Sequence, residues 1–213
     1  MDKHLRFYYS CIVVTISLPG LISCTKNLDH WNIPDEFQSW CRYREGTYWI
    51  YRNEKTQQND CTYVTGYSLN SLPHSQDPTD YYIDWERSEI TGAFLTGIYG
   101  YTPGKDVAGM TIYGNTNARS LYFSLAQVTN PEFIKAVRTG QEGMGVVAVY
   151  PTEKVNGNSF TNVYNCVTEY VSSAGDSVIT SGHLVKNTGL VKYIKHRANW
   201  DTTWTLLRWH VVQ

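Results

Sequence analysis

The sequence predicts a mainly β protein: an antiparallel, strongly curved sheet or partly closed barrel with one short helix. Short aromatic and β-branched runs recur about every ten residues between Gly, Pro and Asn turns. Charged residues make up only 17% of the chain, whereas 17 of its 213 residues are tyrosine, a bias that favours strands. The connections are short and carry no repeated helices, which favours antiparallel pairing over parallel crossovers. A two-sheet β-sandwich is the alternative.

The first two dozen residues have the layout of a secretory signal. Basic residues precede an apolar run at 7–18, and Pro19-Gly20 then break the helix. The run is too short for a permanent membrane span, which needs about 20 residues. The signal segment ends at Leu21-Ile22-Ser23-Cys24, which resembles the bacterial lipobox.

The lipobox resemblance implies cleavage before Cys24 and lipid attachment to that residue. A thiolate is the best nucleophile available to accept a diacylglyceryl group as a thioether. Two or more acyl chains anchor a protein far more durably than one, because each buried methylene contributes roughly 0.8 kcal/mol. The alternative is ordinary signal cleavage that leaves Cys24 unmodified. The predicted organisation is a signal peptide at 1–23, a lipidated N-terminus and tether at 24–45, and a single β-rich domain at 46–213.

The predicted tether is polar but carries Trp31, Phe37 and Trp40, so we expect its second half to dock on the domain. A single helical turn is expected from Pro34. Within the domain, Asn130-Pro131 can cap and start a helix through 138 that covers the concave side of the sheet. A Pro-rich loop is expected at 71–79. Strands are predicted at 47–52, 61–69, 81–90, 93–101, 107–113, 120–126, 145–150, 160–172, 178–185, 190–196 and 203–212.

Three cysteines besides Cys24 remain after signal removal: Cys41, Cys61 and Cys166. An odd number cannot pair completely, and no CxxC spacing is present that would indicate a redox motif or a zinc knuckle. We expect at least two of these thiols to be unpaired, while any pairing among the three stays open.

No pattern of residues predicts a catalytic centre, a metal site or a bound cofactor. A GxGxxA match at 143–148 leads into a β-branched run, not into the helix that a dinucleotide needs. His183, His196 and His210 lie in neighbouring predicted strands but lack metal-ligand spacing. Such histidines are more often solvent-facing or hydrogen-bonded strand residues.

The densest acidic run is Asp80, Asp84, Glu86 and Glu89. Strand alternation places the first three on one face and Glu89 on the other. The run lacks the glycine and the spacing of an EF-hand loop. We therefore expect a solvated sheet face here in preference to a calcium site.

Most of the aromatic residues are expected to pack in the core and across strands. The exception is Trp200, which lies with Asn199 and Asp201 in a turn-like segment between two predicted strands. Because loops carry binding more often than strands do, this segment is the predicted binding surface.

Several segments are similar to small uncharacterised lipoproteins of the Bacteroidota. They are Gly46-Thr47-Tyr48-Trp49-Ile50-Tyr51, Phe160-Thr161-Asn162-Val163-Tyr164, Asn187-Thr188-Gly189-Leu190-Val191-Lys192 and Trp204-Thr205-Leu206-Leu207-Arg208. Gly189 in the third segment is expected to allow a tight turn between two strands. The resemblance implies a Gram-negative envelope and a β fold, and it carries no catalytic residue.

The expected function follows from the anchor and from the missing chemistry. We expect an envelope protein, held on the outer membrane by its lipid, that acts as a noncatalytic binding or accessory module for a glycan, lipid or protein partner. A net charge of −1 gives no reason to expect nucleic acid. An unrecognised hydrolase and a structural subunit of an envelope complex are the alternatives. Whether the protein faces the periplasm or the surface is left open.

Overall fold

Strands occupy most of the chain that the structure describes. The structure is a computed structural model, and it describes residues 29–76, 79–92, 95–104, 107–114, 121–124, 144–171, 177–197 and 200–213. Its elements are β1 (Asp29–Trp31), α1 (Asp35–Cys41), β2 (Tyr48–Asn53), β3 (Asn59–Gln76), β4 (Thr79–Thr91), β5 (Leu95–Gly104), β6 (Val107–Gly114), β7 (Leu121–Ser124), β8 (Met144–Val155), β9 (Asn158–Val171), β10 (Ser177–Val185), β11 (Gly189–Arg197) and β12 (Trp200–His210).

All of these strands belong to one sheet, in the order β7-β6-β5-β4-β3-β2-β12-β11-β10-β9-β8, with β1 beside β4. Consecutive strands from β2 to β7 and from β8 to β12 pair antiparallel. The first of them, β2, also pairs with the last, β12. The mainly β, antiparallel prediction is confirmed.

The sheet is strongly curved but not closed. Its two edge strands, β7 and β8, share no ladder in the described residues, yet Cα atoms of β7 lie within 8 Å of Cα atoms of β8 and β9. Edges so distant in the strand order meet only when the sheet curls round on itself. The curved single sheet is therefore the observed architecture, and the two-sheet sandwich is not.

Helix α1 packs inside the curl near the turn between β10 and β11. Its apolar side chains Phe37, Trp40 and Cys41 are buried. The Trp40 ring meets Tyr164 of β9 edge to face, with 4.9 Å between ring centroids. The backbone N–H of Asn187 donates to the Ser39 carbonyl at 3.0 Å. Asp35 and Glu36 in the first turn complement the positive end of the helix dipole.

The segment before the helix extends the sheet. Strand β1 pairs in parallel with Tyr81–Ile83 of β4, next to the stretch where β5 pairs with Trp85–Glu89. The Trp31 ring stacks on Tyr81 at 3.6 Å between centroids. Together with Phe37 and Trp40, Ile33 and Tyr43 belong to the main hydrophobic cluster. The core therefore includes residues well upstream of Gly46.

The predicted loop at 71–79 is wrong, because β3 continues to Gln76 and β4 begins at Thr79. Pro73 pairs with Tyr82 of β4, but β2 pairs only with Asn59–Tyr63 of β3. Pro73 thus lies on a part of β3 whose other edge has no β2 partner, where a missing N–H donor is tolerated.

Two tight turns are explained by the residues that form them. Gly189 has a φ of +93°, as its predicted role in a tight turn requires. At the tip of the β8–β9 hairpin, Asn156 and Gly157 both have positive φ, at 48° and 82°. These are the residues that a two-residue type I′ turn favours.

The predicted helix at 130–138 and the whole signal segment with Cys24 lie outside the described residues. No helix within the described ranges is long and apolar enough to span a membrane.

Candidate functional site

The described residues form an open cleft at one end of the sheet. We call this the far end, where β2 ends and β12 begins. The cleft has a volume of about 460 Å³ and is lined by Glu54, Lys55, Asp201 and Thr203. The backbone N–H of Glu54 donates to the Thr203 carbonyl at 2.9 Å, which fixes the β2–β3 turn against β12.

Asp201, predicted from the sequence as part of a binding surface, lines this cleft. Its carboxylate lies 2.9 Å from Nδ1 of His196, and both side chains are exposed. The two residues are cross-strand partners. The turn-like assignment is wrong for Trp200 and Asp201, because Trp200 pairs with Arg197 and opens β12. Asn199 lies outside the described residues, as does the side chain of Trp200.

The opposite face of the same strands carries a buried polar layer inside the curl. Thr168, Thr180, Lys195 and Thr202 are successive cross-strand partners on β9, β10, β11 and β12. Paired residues in an antiparallel ladder point to the same face. The first three are buried. We call these four residues the inner layer.

The inner layer holds a buried cation. Lys195 is only 7% exposed, and burial together with the positive charge of Arg197 lowers the pKa of its ammonium. Thr180 is fully buried, and its Oγ1 has no hydrogen-bond partner among the described residues. One step further into the curl, Cys166 and Tyr193 face the same side and belong to the hydrophobic cluster.

A second polar cluster centres on His183, which is 6% exposed. Its Nδ1 lies 2.6 Å from Oε2 of Glu153. Lys192 Nζ is 3.7 Å from the other oxygen of the same carboxylate, and the Tyr150 ring lies 5.6 Å from the imidazole. Burial lowers the pKa of His183, against the raising effect of Glu153.

The hydrogen bonds around His183 tie the β8–β9 hairpin to its neighbours. The amide of Asn165 donates to the Tyr150 hydroxyl at 3.1 Å, and Ser181 Oγ donates to Asn165 Oδ1 at 2.7 Å. The Ser181 hydroxyl is bonded to Asn165 and makes no hydrogen bond to the imidazole among the described residues, so the geometry does not form a Ser-His-Glu triad. At the hairpin tip, the Asn156 amide donates to the Leu206 carbonyl at 2.9 Å.

The acidic run on β4 is buried, so the predicted solvated face is wrong. Asp84 and Glu86 share the inward face, whereas Glu89 is exposed, as alternation predicts; the side chain of Asp80 is not described. The acids are covered by the segment before β2. Asp84 accepts from Ser71 Oγ at 2.7 Å and lies 2.8 Å from His30 Nε2.

Glu86 is 1% exposed and pairs with Arg42, whose Nε donates to Oε1 at 2.9 Å. The Cys41 thiol lies 3.6 Å from Oε2, and burial together with the Glu86 charge raises the pKa of that thiol. Two residues along, Ser88 Oγ donates to the Tyr43 carbonyl at 2.7 Å. We call Asp84, Glu86 and Ser88 the β4 row.

The other predicted candidates are not brought together. His183 is buried, His196 borders the cleft, and His210 is exposed beside the Tyr48 ring. No group of three metal-ligating side chains forms within the described ranges. Cys41, Cys61 and Cys166 are all unpaired, and only Cys61 of the three is exposed.

Exposed apolar side chains on β3 do not form one docking face. Leu69 is 52% and Leu72 is 49% exposed. Leu69 pairs with Glu86 and Leu72 with Ile83. Because Ile83 and Glu86 are an odd number of residues apart on β4, the two leucines point to opposite faces of the sheet.

No protein family, no curated protein and no solved structure matches this chain. The site must therefore be interpreted from its own chemistry. Sequence reasoning found Asp201 but missed Lys195 and the pairing of His183 with Glu153. One signal was available for Lys195: it continues the alternation of Val191 and Tyr193, which places it on the buried face of the strand.

Proposed function

We propose that this chain is a noncatalytic binding protein of the Gram-negative envelope, anchored through Cys24, that binds a neutral glycan in the far-end cleft. The observation that carries the proposal is the pair of carboxylates, Glu54 and Asp201, in one open cleft with Lys55 and Thr203. The lipobox-like run Leu21-Ile22-Ser23-Cys24 is the sequence feature that favours the envelope location.

The cleft chemistry suits a ligand rich in hydroxyl groups. Carboxylates only accept hydrogen bonds when ionised, and Lys55 only donates, while Thr203 does both. A saccharide hydroxyl can donate to Glu54 or Asp201 and accept from Lys55. Two carboxylates in one cleft disfavour an acidic sugar through charge repulsion. A neutral glycan fits this set of groups best.

The position of the cleft also fits an anchored binder. β1 lies level with the last part of β3, because both flank Tyr81–Ile83 of β4. From Asn59 at the far end to Leu72 opposite Ile83, β3 extends about 40 Å at 3.3 Å per residue. Five Cα–Cα steps from Cys24 to Asp29 reach at most about 18 Å. An anchor at Cys24 keeps the β1 end near the bilayer and turns the cleft away from it.

The binding test uses the mature chain on an array of neutral and acidic glycans, followed by calorimetric titration of the best binder. We expect the Asp201→Asn and Glu54→Gln variants each to weaken binding at least tenfold. Asp29→Asn and Glu45→Gln remove exposed carboxylates elsewhere and should leave the affinity unchanged. Equal affinities in all four variants, or no glycan bound at all, would contradict the proposal.

The anchor has its own test. Expression of the full chain in a Gram-negative host should give a processed protein whose intact mass includes acyl chains on Cys24, and whose Cys24→Ser variant lacks them. A mature mass without acyl chains would overturn the lipid anchor but not the glycan site.

A hydrolase is the second candidate, and the His183–Glu153 contact at 2.6 Å favours it. A carboxylate that orients an imidazole is a feature of general-base catalysis. The burial of His183 and the hydrogen bond of Ser181 to Asn165 argue against it. Loss of a measurable glycosidase or esterase turnover in His183→Gln, with turnover retained in His196→Gln, would establish the hydrolase instead.

A further inference from the structure

The inner layer is separate from the cleft, although both lie at the far end. On β11, His196 faces the cleft side and Lys195 faces the curl; on β12, Asp201 and Thr202 alternate in the same way. The cleft side carries two carboxylates, whereas the inner side carries Lys195. On β11 and β12, the carboxylate of Asp201 therefore lies on the cleft side, whereas the ammonium of Lys195 lies on the inner side.

We propose that the inner layer binds a small oxyanion, the carboxylate or phosphate group of a ligand that enters from the far end. Lys195 and Arg197 supply the positive charge, and Thr180 supplies a hydroxyl donor. This site goes beyond the proposed glycan site, which uses the other face of the sheet.

Two observations support an oxyanion. Lys195 and Arg197 are two residues apart, and both face the inner side as partners of Thr180 and Val178 on β10. An ammonium and a guanidinium together favour a carboxylate or phosphate over a neutral group. The Oγ1 of Thr180 is fully buried without a partner among the described residues. A buried hydroxyl in that state costs free energy until it finds a hydrogen-bonding partner.

The inner layer lies close to the far end of β11. Lys195 lies two residues before β11 ends at Arg197, which is about 7 Å along the strand. Two residues further from this end, Cys166 and Tyr193 face the same side and belong to the hydrophobic cluster. A ligand with one anionic end and a short apolar body would place the anion on the layer and the body against this surface.

The test compares inorganic phosphate, octanoate and the neutral analogue octanol, titrated calorimetrically into the mature chain at constant ionic strength. We expect saturable binding of phosphate or octanoate and none of octanol. Saturation by phosphate identifies a free anion as the ligand class, whereas saturation by octanoate alone identifies the head group of an amphiphile. Absence of binding by both anions would overturn the inference and leave the glycan proposal standing.

Two variants locate the site. Lys195→Met should weaken anion binding at least tenfold, while Lys154→Met, which removes an exposed lysine on β8, should not. Thr180→Val keeps the side-chain shape and removes only the buried hydroxyl, so it remains informative if Lys195→Met fails to fold. It should weaken anion binding several-fold without destabilising the ligand-free protein. Wild-type affinity in Thr180→Val would contradict the site.

Discussion

The two buried polar regions of the sheet differ in where their partners come from. In the β4 row, Asp84, Glu86 and Ser88 bind His30, Arg42 and the Tyr43 backbone, all from the segment before β2. In the inner layer, the charged group is a cation, and Thr180 has no hydrogen-bond partner among the described residues. The polar groups of the β4 row therefore have partners from the N-terminal segment, whereas the inner layer contains a buried hydroxyl donor that is not hydrogen-bonded to a described residue.

This difference separates a structural role from a binding role. Buried charges persist in proteins when they are paired or when they serve a ligand. The β4 row shows pairing: it fastens the N-terminal segment to the sheet. In the inner layer, the group without a hydrogen-bond partner among the described residues is the buried hydroxyl of Thr180. The following predictions test whether the two regions respond differently to similar changes.

The largest effect is expected from Arg42→Met, which leaves the Glu86 carboxylate buried without its partner. Breaking such a pair by removing one member costs about 3 kcal/mol or more, which lowers the midpoint of thermal unfolding by roughly 6 to 12 °C for a chain of this size. Calorimetry or chemical denaturation measures the change. Arg87→Met is the matched control, because its ion pair with Glu89 is exposed, and it should shift stability by less than about 0.5 kcal/mol.

A double variant sharpens this result. Adding Glu86→Met to Arg42→Met removes the orphaned charge and should recover part of the lost stability. If the double variant is less stable than Arg42→Met alone, the β4 row does not act through charge pairing.

An intermediate effect is expected at His183. Since burial lowers its folded-state pKa below the ordinary 6.5, the unfolded chain binds the proton more readily. Stability from this residue is therefore complete above about pH 6.5 and declines as the pH falls toward the folded-state value. His183→Gln should flatten the loss of stability between pH 7 and 5 in urea titrations. His196→Gln, at an exposed pair with Asp201, should leave the profile as in the wild type.

A smaller effect of opposite sign is expected at Thr180. Thr180→Val removes an unpartnered buried hydroxyl, so the ligand-free protein should gain up to about 1 kcal/mol in the free energy of unfolding. Thr168→Val is the control in the same layer: Thr168 is not without a partner, so this change should not stabilise the protein. Destabilisation by Thr180→Val would indicate that its hydroxyl already has a structural role.

The last prediction concerns the folded protein without any substitution and compares the reactivity of its cysteine thiols. Among Cys41, Cys61 and Cys166, a maleimide should react rapidly with Cys61 alone, because the other two thiols are buried and burial raises their pKa values. Peptide mass analysis after brief labelling gives the labelled fraction of each of the three cysteines. Equal labelling of Cys41 would show that the contact between α1 and β4 opens readily.

The fold class could be predicted because its signals are local. Alternation, turn residues and Gly189 each act over a few positions, and the curved antiparallel sheet followed from them. The site was harder, because it depends on what covers each face. Alternation placed Asp84 and Glu86 on one face correctly, but it could not show that Arg42, more than 40 residues away, buries that face. The layer around Lys195 likewise depends on register between four strands, which no local pattern specifies.

Hydrogen–deuterium exchange with and without the best-binding glycan tests most directly whether the far end is the binding end. We expect protection to increase in the peptides covering 52–56 and 196–205 and to stay unchanged around His183 and along the exposed side of β3. Protection confined to the β8–β9 hairpin or to 63–72, with no change at 52–56, would contradict it.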